Sequence, residues 1–144
     1  MRTLSQNIGP VLAIGPDTLS ADNTPTAIDL AGFEAAALLF QIGVGGITFD
    51  ATNKIEFKLR HGDTSTVADH IAVAQDDVTD ATVAAGGVVL SLVAAHAAAS
   101  VSKVGYIGGK RFLSVLADFS GTHGTGTPIT VAVVKARPLS APVA

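Results

Sequence analysis

The chain has 144 residues, no cysteine, 15% charged residues and a formal net charge of −3. This length suits one domain with a substantial core, and the lack of cysteine excludes a disulfide scaffold, a thiol nucleophile and thiolate metal sites. Charge falls short of the roughly 25% of ordinary soluble domains, so much of the ~6,900 Å² exposed by a monomer of this mass is neutral and suited to cover by a partner.

Residues 1–26 read as an extended arm. Pro10, Pro16 and Pro25 punctuate it, Gly9 and Gly15 loosen it, and only Val11–Ile14 has the content of a short edge strand. Met1-Arg2 leads into polar residues rather than an apolar run, so a secretory signal is not expected. The regular part begins at Thr26–Leu30, where Ile28 and Leu30 oppose Ala27, Asp29 and Ala31. Phe33–Val44 has the alanine and leucine content of a helix, but the run into Gly45-Gly46 suits a buried strand, and a strand is the assignment made here. Lys54–His61 is the clearest strand: Ile55, Phe57 and Leu59 take one face, Lys54, Glu56, Lys58 and Arg60 the other.

A turn at Gly62–Thr66, a weaker strand at Val67–Ala74 and an acidic loop at Gln75–Asp80 follow. Gly87–Val93 reads as a strand, and Ala94–Ser100 as a short helical turn or irregular link, too short for a stable helix. Val83–Ser100 is the most apolar stretch, yet it is shorter than ~20 residues and holds Gly86, Gly87 and His96, so a membrane span is not expected. Val101–Ile107, Lys110–Phe119 and Ile129–Lys135 are strands, with Gly108-Gly109 read as a hairpin turn and Ser120–Pro128 as a loop. In the second of these strands Leu113, Val115, Ala117 and Phe119 share the wholly apolar side. The pattern predicts an all-β domain, a single β-sandwich or jelly roll of about eight strands. Its parts are the arm at 1–26, the sandwich at 27–135 and an extended, exposed tail at 136–144.

Motifs with chemical meaning are few. The glycines of Gly43–Gly46 and Gly121–Gly126 lead into turns rather than opening a helix, so they read as turn positions needing positive φ and not as a phosphate cradle. Of His61, His70, His96 and His123, only the first two are placed to approach across a hairpin, and a zinc site needs more ligands than two. They read as surface or hydrogen-bonded histidines. Asp76, Asp77 and Asp80 lack the alternating ligands and central glycine of a calcium loop and read as a solvated turn. No nucleophile-elbow motif occurs, and without tryptophan a sugar-stacking cleft is poorly supplied. No catalytic, cofactor-binding or metal-ligating residue is predicted, and no enzyme. No basic patch for nucleic acid is visible either.

Three stretches carry a likeness: DNTPTAIDLAGFEAA at Asp22–Ala36, NKIEFKLRHGD at Asn53–Asp63, and VGYIGGKRFLSVLADFSGTHGTGTPI at Val104–Ile129. Over Asp22–Lys135 the chain resembles the head decoration, or capsid cement, proteins of tailed bacteriophages. The resemblance implies a β-sandwich or jelly-roll subunit, a homotrimer, bound to the major capsid protein on the outer surface of a virion assembled in the host cytoplasm. It implies no cofactor, no nucleic-acid contact and no membrane, and it fixes no site residue. A tail or head–tail connector protein is the alternative within the virion, and a carbohydrate- or receptor-binding β module the alternative outside it.

Overall fold

The computed structural model describes residues 3–140 and 142. Among these residues it is a β-sandwich of ten strands in two sheets, where about eight were expected. The strands are β1 (Ile8–Leu19), β2 (Ile28–Asp29), β3 (Phe33–Ile42), β4 (Lys54–Gly62), β5 (Ile71–Ala72), β6 (Val78–Thr79), β7 (Val88–Leu92), β8 (Ser100–Tyr106), β9 (Phe112–Ser120) and β10 (Thr127–Pro138). The first sheet has the order β1-β10-β3-β8-β6; the second has β2-β9-β4, with β5 and β7 sharing the far edge of β4. Every pairing is antiparallel. No helix among the described residues is long and apolar enough to cross a membrane.

The core lies between the sheets and follows from side-chain alternation. The first sheet contributes Leu38, Phe40, Val104, Tyr106, Val131 and Val133; the second contributes Ile55, Phe57, Leu59, Leu113, Val115 and Ala117. The Phe40 and Phe57 rings meet edge to face at 5.2 Å between centroids, which ties the layers at their centre. Phe119 is only half-buried, so the core face of β9 stops one residue pair early.

Several expectations are corrected. The arm is not an appendage over Ile8–Leu19: it is the edge strand β1, paired along β10 from Ile8↔Ala136 to Leu19↔Thr127. Its prolines are tolerated because an edge strand has one side with no ladder to donate to, and register shifts at Leu12/Ile14 and Ile14/Asp17 absorb the Gly15-Pro16 step. Likewise β10 runs to Pro138, so Ala136–Pro138 belongs to the sheet rather than the tail. Met1 and Arg2 of the expected arm, and Ala141, Val143 and Ala144 of the expected tail, lie outside the described residues. Val67–Ala74 holds a 3-10 turn, Val67–Asp69, and the two-residue β5. The Gln75–Asp80 loop contains a 3-10 turn and β6.

Gly108-Gly109 is not a hairpin. β8 lies in the first sheet and β9 in the second, so residues 107–111 form a corner between layers. Tyr106 pins that corner: its hydroxyl accepts the Lys110 N–H at 3.2 Å, and a Cβ at Gly108 would fall 2.6 Å from the same hydroxyl. Ser120–Pro128 crosses back the same way.

Loops collect by end. One end carries Gly43–Asn53, Val93–Ala99 and Gly121–Gly126. Gly121, Gly124 and Gly126 have positive φ as expected; Gly43, Gly45 and Gly46 do not. Gly46 is instead required by close approach, since its N–H donates to Gly126 O at 2.8 Å and a Cβ would strike the Thr125 hydroxyl. The other end carries the charged turns, with Asp29, Asp63, Asp77, Lys110 and Arg111.

Candidate functional site

Two places merit a functional reading: a polar cluster inside the charged end, and the outer face of the first sheet. In the cluster, His61 ends the inner row of β4 and Tyr106 the inner row of β8, and His61 Nδ1 lies 2.9 Å from the Tyr106 hydroxyl. The Asp77 carboxylate on the Nε2 side favours the His61 tautomer with its proton on Nε2, which leaves Nδ1 to accept the Tyr106 O–H. Burial pushes the His61 imidazolium below its ordinary range, so the 3.9 Å approach of Nε2 to Asp77 is not an ion pair at neutral pH. Burial also pushes the Tyr106 phenol up to about 12.

His70 is brought beside this group. Its Nδ1 lies 2.8 Å from Ser114 Oγ and its Nε2 lies 2.9 Å from Thr64 O. The carbonyl can only accept, so Nε2–H donates to it and Ser114 donates to Nδ1. A serine against a histidine has the outline of an activated nucleophile, but both are 1% exposed, and the group orienting the histidine is a backbone carbonyl. No substrate reaches either atom. The two histidines do come close, as the spacing suggested, yet each spends its nitrogens on separate partners. Among the described residues no three histidine, aspartate or glutamate side chains converge to hold a metal ion.

The remaining candidates are structural too. His123 is buried against Phe119 at 4.7 Å and donates Nε2–H to Ser120 O. Half-buried His96 sits at 3.4 Å from Ile42 O. Asp77 accepts the Ala74 N–H at 2.9 Å, closing its turn, and Asp80 approaches Lys103 at 3.6 Å. Asp29 holds Arg111 through two hydrogen bonds of 2.9 and 2.7 Å, and that guanidinium lowers its carboxyl to about 2.

The outer face of the first sheet is different in kind. Register and alternation lay its side chains in rows. One row is Leu12–Ala132–Leu39–Lys103; the next is Pro10–Val134–Ala37–Gly105; beyond it lies Ile8–Ala136–Ala35. On the opposite side comes Thr130–Gln41–Val101. Across these rows the one charged side chain is Lys103, and it is turned to Asp80. Leu12 is 54% and Val101 68% exposed. Where this face meets the glycine-loop end there is an open hollow of about 580 Å³, lined in part by Pro16, Asp17, Gln41, Val101, Pro128 and Thr130. It brings together one carboxylate and no histidine or aromatic ring, so it has the shape of a seat and lacks the groups of an active site.

Sequence reading missed this face. Each strand showed only its own alternation, and the rows exist only once β1, β10, β3 and β8 stand side by side. The usable signal was the uncharged outward phase of Phe33–Ile42 and Thr127–Pro138, which carries Ala35, Ala37, Leu39 and Gln41 on one strand and Thr130, Ala132, Val134 and Ala136 on the other. No protein-family model matches the chain, and no curated protein matches it.

Proposed function

We propose that the protein is a virion structural protein without enzymatic activity: a decoration, or cement, protein that binds the outside of a phage head and stabilises its shell of major capsid protein. The observation that carries this reading is the nearly charge-free outer face of the first sheet, continuous with a loop end whose hollow holds Asp17 as its one carboxylate. A face of that extent is comparable with the largest apolar patch on an ordinary monomer, and such patches are often functional. The resemblance of Asp22–Lys135 to phage decoration proteins supplies the kind of partner.

Such a protein acts by linkage. It binds the assembled shell and not the free capsid subunit, so each bound copy shifts the equilibrium toward the shell. The pI near 5.7 suits the outer surface rather than contact with packaged DNA. A glycan-binding role is disfavoured because the large exposed apolar residues are Leu, Ile and Val, while Tyr106 and Phe57 are buried and Phe33 and Phe112 are half-buried under Lys135 and Arg111. The test is to add purified protein to undecorated expanded heads and follow their survival of heat and low salt. Saturable binding with raised survival is expected; no binding overturns the reading.

A further inference from the structure

The outer face of the first sheet has a relief as well as a composition. Leu12 and Leu39 flank Ala132 in one row, and in the next Val134 stands beside Ala37. Large and small side chains therefore alternate between β10 and β3 at the centre of the face, where Leu39 stands beside Ala132 and Val134 beside Ala37. Face-to-face sheets pack about 10 Å apart by interdigitating such side chains. A surface with knobs and hollows of matching size is complementary to itself when turned over by a two-fold axis in its own plane.

Charge points the same way. Lys103 is neutralised by Asp80 and Arg137 by Glu34 at 3.5 Å, both at the rim and both within the chain. Within the four rows Lys103 is the one charge, and it faces an acid of its own chain, so the face has little charge with which to select a charged partner. Area is sufficient. Four strands about 4.8 Å apart, carrying four rows about 6.8 Å apart, make a face of roughly 500 Å². Two copies would bury roughly 1,000 Å² together, the floor for a specific interface.

We infer that a second copy of this chain covers the outer face of the first sheet, forming a two-fold pair centred near Leu39 and Ala132. This deepens the decoration reading by assigning that face to self-association and leaving the loop ends for the shell, and it replaces the trimer implied by the resemblance. The chain has no cysteine, so single-cysteine variants report cleanly.

The test is solution mass by sedimentation equilibrium across a concentration series. The mass should rise toward twice 14.5 kDa. Leu39→Glu, at a half-exposed site, should keep the circular dichroism spectrum of the folded chain and weaken the pair by at least about tenfold by desolvating a charge. A short bis-maleimide should join two Leu39→Cys chains and fail to join two Glu56→Cys chains. A single-chain or three-chain mass at every concentration, or a pair indifferent to Leu39→Glu, overturns the inference. A pair that never binds expanded heads keeps it and sinks the decoration role; a single chain that binds heads does the reverse.

Discussion

The two sheets of this sandwich are alike inside and unlike outside. Toward the core, β3 and β4 present the same run of large apolar residues. Away from it, β4 presents Lys54, Glu56, Lys58 and Arg60, with Asp118 opposite on β9, whereas β3 presents Ala35, Ala37, Leu39 and Gln41. The charged face satisfies itself: Lys54 meets Glu56 at 3.0 Å, Lys58 bonds Asp118, and Arg60 donates to His70 O. The uncharged face has nothing comparable to hold its side chains. Folding requires one apolar side per sheet, and the second sheet stops there. A second apolar side adds little to folding of the isolated chain, and its value lies in being covered.

The comparison can be broken from the core outward. Phe57→Ala removes the ring that joins the layers, so it should cost about 3–5 kcal/mol and unfold both faces together in urea. Tyr106→Phe leaves His61 Nδ1 buried without its donor and should cost about 1–3 kcal/mol by the same assay. It should also remove an alkaline dependence. Tyr106 is held protonated in the fold up to about 12 but ionises near 10.0 when unfolded, so its contribution is present below the lower value and lost as pH rises toward the higher.

His61 gives the opposite limb. The fold keeps it neutral, while the unfolded chain takes a proton below about 6.5, so stability should fall as pH drops through that value. His61→Gln should flatten the acid side of the stability profile. Asn23→Ala tests the edge of the second sheet, where Asn23 Oδ1 accepts the Ala117 N–H at 2.7 Å and Nδ2 donates to Val115 O at 3.2 Å. A loss of about 1–2 kcal/mol is expected, seen also as faster hydrogen exchange at Ala117. Smallest of all, Lys58→Ala should change stability by under about 1 kcal/mol, because half-exposed ion pairs contribute little.

How much could be read beforehand follows from the reach of each signal. β4 and β9 were legible because an alternating pattern fixes both the element and its faces, as with Ile55, Phe57 and Leu59, while β3, with the alanine and leucine content of a helix, was recognised from its run into Gly45-Gly46. β1 was read as an edge strand only over Val11–Ile14, because Pro10 and Pro16 break strands everywhere except at an edge, and edge position is a tertiary fact. β5 and β6, two residues each, are too short to carry a period. The glycine pair at 108–109 signalled a turn truly but could not say whether the next strand would join the same sheet. Of the candidate site, the uncharged composition was visible from the start. Its arrangement was not, because Leu12, Leu39 and Ala132 become neighbours only through pairing across most of the chain.

The central claim is that one outer face is covered at work and the other is not. The direct measurement is the rate of maleimide labelling at Leu39→Cys and at Glu56→Cys on decorated heads. The account predicts slow labelling at position 39 and fast labelling at position 56, with the two rates converging when the free protein is diluted until the pair separates into single chains. Equal rates on the particle, or faster labelling at position 39, would contradict it.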